Sequence, residues 1–217
     1  MQGQLTGDTG DIGFVGHFSG PDGYALEALQ STLNCNNPAP SSIPSSPLCA
    51  ERPVLGQLKV NTKDPERALA FYRDALGMTL LSQVTISRFG LTLYFLAFTE
   101  ERPPDFETAI DSPSNRAWLW QAEFTQLELQ YWHDFEGNAA LKLPPSEARV
   151  GFAGFTIMCS DPSRVAERLI SSGAPVVSPY GVLQGTPLCR AVDAVTVLDP
   201  DGRPVRLAHN TSRSNAL

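Results

Sequence analysis

NTKDPERALAFYRDALGMTLL, residues 61–81, reads as the end of a strand, a helix and the start of the next strand. Asp64 is of the type that caps helix N-termini, and Pro65 stands at the first helical position, where no N–H is needed. Ala68, Leu69, Tyr72, Ala75 and Leu76 then recur at helical spacing, and Gly77 ends the run. The same pattern returns a hundred residues on. Asp161 and Pro162 open a helix with Val165, Ala166, Leu169 and Ile170 on one face, closed by Gly173. A strand, helix and glycine unit occurring twice is an internal repeat. Strand candidates follow each helix: 78–86, 91–98 and 123–132 after the first, 191–198 and 205–208 after the second.

Two positions in the repeat do not match. Seven residues before Asp64 stands Gln57, whereas seven before Asp161 stands Gly154. Gln57, Lys59 and Asn61 alternate with Leu58 and Val60, as Gln126, Glu128 and Gln130 alternate with Leu127, Leu129 and Tyr131. Each strand therefore has a polar face.

The repeat and its motifs resemble the vicinal oxygen chelate superfamily and, within it, glyoxalase I. The resemblance covers roughly residues 54–209. Residues 61–81 look like the first strand exit, helix and second strand, 93–97 like the third strand, and 127–129 like the fourth. Gly151 and Phe152 resemble the entry to the second module, and Asp199-Pro200-Asp201-Gly202 its last hairpin. The implied fold is α+β, two βαβββ modules with an N-terminal extension. The expected divisions are an arm and Pro/Ser-rich linker over 1–53, module one over 54–133, module two over 150–209 and a tail over 210–217. A homodimer joining modules of different chains is implied as well.

In glyoxalase I four side chains hold a metal, one from the first and one from the last strand of each module. Gln57 and Glu128 match two of these positions. The other two read Gly154 and Arg206, the latter four residues after Gly202 where the family has a glutamate that serves as ligand and base. Glycine removes a ligand, whereas arginine brings a permanent positive charge to the place of a cation. One carboxylate and one amide are too few for a stable zinc site, so neither a family-type metal nor another cofactor is expected. His133 lies at an odd offset from Glu128, on the opposite side of a continuing strand.

The glutathione anchors of the family have also changed, with Asn61 in place of a cation and the arginine before the second module either shifted to Arg149 or replaced by Val150, so that of these anchors Arg149 alone could bind a carboxylate. Tyr131, Trp132 and Phe152 offer an aromatic rim suited to an apolar ligand. Lys59, Asn61, Gln126, Tyr131, Trp132, Arg149, Phe152, Gly154 and Thr156 are the expected substrate contacts. Glu128 is the expected proton carrier, and Arg206 with Gln57 the expected stabilisers of a developing enolate.

Three classes of function remain open. They are a metal-independent isomerase, cyclase or lyase acting on an apolar or aromatic carbonyl compound of secondary metabolism, a lactoylglutathione lyase with an altered metal site, and a non-catalytic small-molecule binder. A plain ion pair between Glu128 and Arg206 is the structural alternative.

Composition narrows the partners. With 16 Lys plus Arg against 23 Asp plus Glu the net charge is −7, which argues against nucleic acid and anionic membrane. No stretch of eighteen apolar residues or leader pattern occurs, so a cytoplasmic location is expected. Cys35 and Cys49 flank a Pro/Ser-rich stretch and could pair, although four cysteines without tight spacing favour free thiols. Residues 24–33 read as a short helix through Ala25, Leu26, Leu29 and Leu33, and 99–117 and 178–190 as loops bordering the pocket. His17, His133 and His209 fall on no motif, and Trp118 and Trp120 lie in a stretch without a clear period.

Overall fold

The computed structural model describes residues 2–21, 25–29, 55–134, 154–174, 176–178 and 194–209. The chain forms two compact units, Met1–Asn61 with Thr79–Asp134, and Thr62–Met78 with Phe135–Leu217.

The first unit holds two sheets. The N-terminal strands are β1 (Gln2–Gly7), β2 (Gly10–Ser19) and β3 (Ala25–Leu29), an antiparallel sheet in sequence order. The helix expected over 24–33 is therefore replaced by strand over 25–29. Ala25, Leu26 and Leu29 favour helix by intrinsic propensity, but pairing of Leu26 with Phe18 and Glu27 with His17 outweighs a weak local preference. The second sheet has β4 (Gln57–Thr62), β5 (Thr79–Ile86), β6 (Leu91–Ala97) and β7 (Gln126–Trp132) in the order β4-β7-β6-β5.

The N-terminal strands share the core of this unit. Ile12 of β2, 2% exposed, packs with Leu81, Val84, Ile86, Leu93, Phe95 and Leu119. At Gly7 the approach is so close that a Cβ would stand 2.4 Å from Val84 Cγ2, so only glycine lets Asp8 N–H reach the Thr85 carbonyl at 2.8 Å. The expected 99–117 loop ends in a helix over Pro113–Leu119, capped by Ser112, whose hydroxyl accepts from Ser114 N–H at 3.1 Å. That helix turns Arg116 and Trp120 onto the N-terminal strands. Trp120 Nε1 donates to the Ile12 carbonyl at 2.5 Å and Arg116 Nε to the Asp11 carbonyl at 3.2 Å.

In the second unit α1 (Pro65–Leu69) begins where the sequence placed it, with Asp64 Oδ1 accepting from Arg67 N–H at 3.1 Å. It then widens into a π-helical turn over Ala70–Ala75, where Leu76 N–H reaches back five residues to the Phe71 carbonyl at 2.8 Å. The widened turn buries Phe71, Tyr72 and Ala75 together. β8 (Phe155–Cys159), the helix Pro162–Ser171, β9 (Val176–Ser178), β10 (Ala194–Leu198) and β11 (Pro204–His209) complete the unit in sheet order β8-β11-β10-β9. That order repeats β4-β7-β6-β5 strand for strand, and the βαβββ repeat is thereby observed in space.

Candidate functional site

In the first unit the polar faces of β4 and β7, neighbours in one sheet, meet at Glu128. Its side chain is 3% exposed, and Lys59 Nζ stands 3.6 Å from Oε2 while Gln130 Nε2 donates to Oε1 at 2.6 Å. Burial dominates the titration of this carboxyl and holds its pKa above the usual glutamate value, against the opposing pull of the Lys59 charge and the Gln130 hydrogen bond; the negative charge of Glu27 adds to the rise.

Lys59 has a second carboxylate. Its Nζ donates to Glu27 Oε1 at 2.6 Å, and Glu27 Oε2 faces His17 Nε2 at 2.7 Å. His17 and Glu27 sit directly opposite each other in the β2–β3 register, which brings their side chains together on one face. From His17 at 51% exposure through Glu27 and Lys59 to Glu128, the chain of polar groups runs from solvent into the interior.

Gln57 shares the Lys59 face of β4, and its Nε2 is buried without a hydrogen-bond partner among the described residues. A buried N–H donor left unmade is costly, and an acceptor oxygen supplied by a ligand would satisfy it.

The other expected contacts fall in three groups. Asn61 Oδ1 accepts from Trp132 Nε1 at 3.3 Å, Gln126 Nε2 donates to the Leu119 carbonyl at 2.8 Å, and the Tyr131 ring lies against His133. Gly154, Thr156 and Arg206 belong to the second unit, where Arg206 is registered with Thr156 on β8 and Thr196 on β10. Arg149 and Phe152 lie outside the described residues, as do Cys35, Cys49, Cys189 and the 179–190 segment. Cys159 is a free thiol. His133 is engaged with Thr92 Oγ1 at 3.0 Å.

Gly154 has a backbone reason of its own. Its φ is +133°, and a Cβ there would stand 2.2 Å from the Pro204 carbonyl oxygen. A side chain cannot be placed at this position without displacing β11.

Sequence reasoning passed over Glu27 and placed His17 on no motif. A signal existed in Pro21-Asp22-Gly23, which puts Glu27 four residues after a glycine just as Pro200-Asp201-Gly202 puts Arg206.

The donor set of the first unit does not fit a resident divalent cation. An ammonium already lies against both carboxylates, and the remaining oxygen donor is one neutral amide.

Comparison with known proteins agrees with this architecture. The model of the Glyoxalase/Bleomycin resistance protein/Dioxygenase superfamily matches residues 54–207. A lactoylglutathione lyase of Pseudomonas aeruginosa is 29% identical over 151 residues, covering 69% of this chain and 78% of that protein. The crystal structure of glyoxalase I from Zea mays superposes with a TM-score of 0.56 at 21% identity, over 97% of this chain and 59% of that one. A point mutant of the same maize enzyme gives 0.57 at the same identity, and the chain again spans about three-fifths of the longer protein, 60%. No described helix is long and apolar enough to cross a membrane.

Proposed function

From the premise that the chain belongs to the Glyoxalase/Bleomycin resistance protein/Dioxygenase superfamily, we propose that it is a metal-independent isomerase or lyase moving a proton on an apolar or aromatic carbonyl compound. One observation carries this reading: Glu128, a buried carboxylate with a raised pKa, lies beside the Lys59 ammonium on the polar face of a strand.

Glu128 removes the proton from the carbon next to the substrate carbonyl. A carboxylate whose pKa is raised is a stronger base than an exposed one, and a positioned base is worth about two to four orders of magnitude in rate. As the C–H bond breaks, charge moves to the carbonyl oxygen. Lys59 supplies a cation for that charge and the unsatisfied, buried Gln57 Nε2 a hydrogen bond. Glu128 then returns the proton to a neighbouring atom, or the enolate expels a leaving group. Arg206, the stabiliser expected from the sequence, lies in the second unit, and the part is assigned here to Lys59 because it is the cation beside Glu128. Trp132, on the Glu128 face of β7, is the described aromatic group for the apolar part of the substrate, whereas Tyr131 alternates onto the opposite face beside His133. A homodimer of this chain is part of the same proposal.

The test is exchange of the carbon-bound proton in D2O, followed by NMR for a panel of aryl and alkyl ketones. Exchange that survives chelator and disappears in Glu128→Gln is the expected result. A second reading, lactoylglutathione lyase, has the relationship to the Pseudomonas enzyme in its favour. Chelator-sensitive formation of lactoylglutathione from methylglyoxal and glutathione would replace the first reading by the second. Tight binding of a ketone with no exchange would leave the binding module.

A further inference from the structure

The N-terminal sheet is an antiparallel three-strand run like β9-β10-β11, and the last strand of each follows the same tripeptide. Pro21-Asp22-Gly23 stands before β3 as Pro200-Asp201-Gly202 stands before β11. Counted from the glycine, Leu26 and Ala28 of β3 hold the places of Val205 and Leu207 of β11. Phe18, opposite Leu26, holds that of Val197, opposite Val205.

The same places have different surroundings in the two sheets. In the second unit Val197, Val205 and Leu207 are each 0% exposed. There the helix Pro162–Ser171 packs on β10 and β11 with Ala166 and Leu169 buried, and β8 pairs in parallel along the far side of β11. In the first unit Phe18 is 55% and Leu26 44% exposed, Ala28 is exposed too, and β3 ends its sheet among the described residues. The opposite face of β2 and β3 is the inward one, with Val15 buried and Glu27 on Lys59.

Single exposed apolar side chains are ordinary, but here three adjoin one another across two strands beside a free strand edge. An added strand would pair with the N–H and C=O groups of that edge, and an amphipathic helix following it would cover the apolar face. Gly16, Phe18, Leu26 and Ala28 carry no charge, so the covering helix must be apolar on the side it presents.

We propose that this face is a docking surface for a strand and helix supplied by a different polypeptide, the strand running parallel with β3 and the helix lying on Phe18, Leu26 and Ala28. A second copy of this chain is not the partner, because both of its own strand and helix segments are engaged, β4 beside β7 and β8 beside β11. The surface is on the side of the sheet away from Glu27, so its occupation leaves the Lys59 and Glu128 pair in place.

A synthetic peptide of residues 154–173, which carries a strand, the Asp161 and Pro162 cap and a helix, is the probe. Labelled with a fluorophore and kept reduced, it should bind the full chain saturably at one per chain in an anisotropy titration. Leu26→Glu and Phe18→Glu should each weaken that binding by about tenfold or more, since either buries an unpaired charge under the helix. Both side chains are exposed, so both variants should keep the parent melting temperature. In the unaltered chain the peptide should slow amide hydrogen exchange along β3. Absence of saturable binding, binding that neither charge weakens, or protection that omits β3 would each overturn the proposal. Self-association of the unaltered chain that Leu26→Glu abolishes would give the face to a second copy instead. Loss of folding in both variants would make the face part of the core, and would overturn it as well.

Discussion

Each unit carries a buried carboxylate, and the two are treated differently. In the second unit Asp199 has both oxygens filled: Oδ1 accepts from Asp201 N–H at 3.0 Å and Arg203 N–H at 2.8 Å, Oδ2 from the Tyr72 hydroxyl at 2.7 Å and Arg203 Nε at 2.8 Å. Arg203 also pairs with Asp201 at 3.0 Å, whose other oxygen takes Lys63 N–H. In the first unit Glu128 has one short hydrogen bond, from Gln130, and a cation at 3.6 Å that is closer to another carboxylate. Four strong donors make a carboxylate an inert clamp on a turn. One donor and a shared ammonium leave it able to take a proton.

The largest expected effect separates these roles. Glu128→Gln should lower turnover by about two to four orders of magnitude while leaving the melting temperature unchanged or higher, because a neutral amide is easier to bury than a carboxylate. If rate per folded molecule is unaffected, Glu128 is as structural as Asp199. Next comes Lys59→Met, expected to reduce turnover by about two to three orders of magnitude, the worth of an anion-stabilising donor. Arg206→Met is its control: an equal or larger loss would return the role to Arg206 and take it from Lys59.

In the second unit the readout is stability. Asp199→Asn leaves Arg203 buried with weaker compensation and should destabilise the protein by about 3–5 kcal/mol in chemical denaturation, and Tyr72→Phe by about 1.5–3 kcal/mol. Losses near zero would mean the clamp is ornamental. The smallest effect is in pH. The folded state holds the Glu128 proton more tightly than the unfolded state, so this group contributes stability below the ordinary glutamate pKa and loses it as pH rises through the raised one. Melting temperature measured against pH should therefore fall less steeply over that window in Glu128→Gln than in the unaltered protein.

Gly154 marks a limit on rebuilding the family's ligand set. Restoring histidine there would force a side chain into the Pro204 carbonyl from a positive φ, so Gly154→His should unfold or strongly destabilise the second unit rather than bind metal.

Legibility in the sequence followed range. The Asp64 and Asp161 caps, the alternation of Gln57, Lys59 and Asn61, and that of Gln126, Glu128 and Gln130 are contained within a few neighbouring residues, and their elements stand where they were expected. β3 was hidden because Ala25, Leu26 and Leu29 suit either periodicity, and the choice came from β2. The helix Pro113–Leu119 was hidden because its buried side is largely polar, Asn115 and Arg116 beside Leu119, and binds backbone carbonyls rather than an apolar core.

The sequence by itself determined the repeat, the family and the polar strand faces, since periodicity, capping and motif spacing are local and one-dimensional. Only the tertiary structure decided which cation accompanies Glu128. Lys59 and Glu128 are far apart in sequence, Glu27 reaches them from a third strand run, and a charge's partner is set by the few ångströms between atoms, which no spacing along the chain encodes.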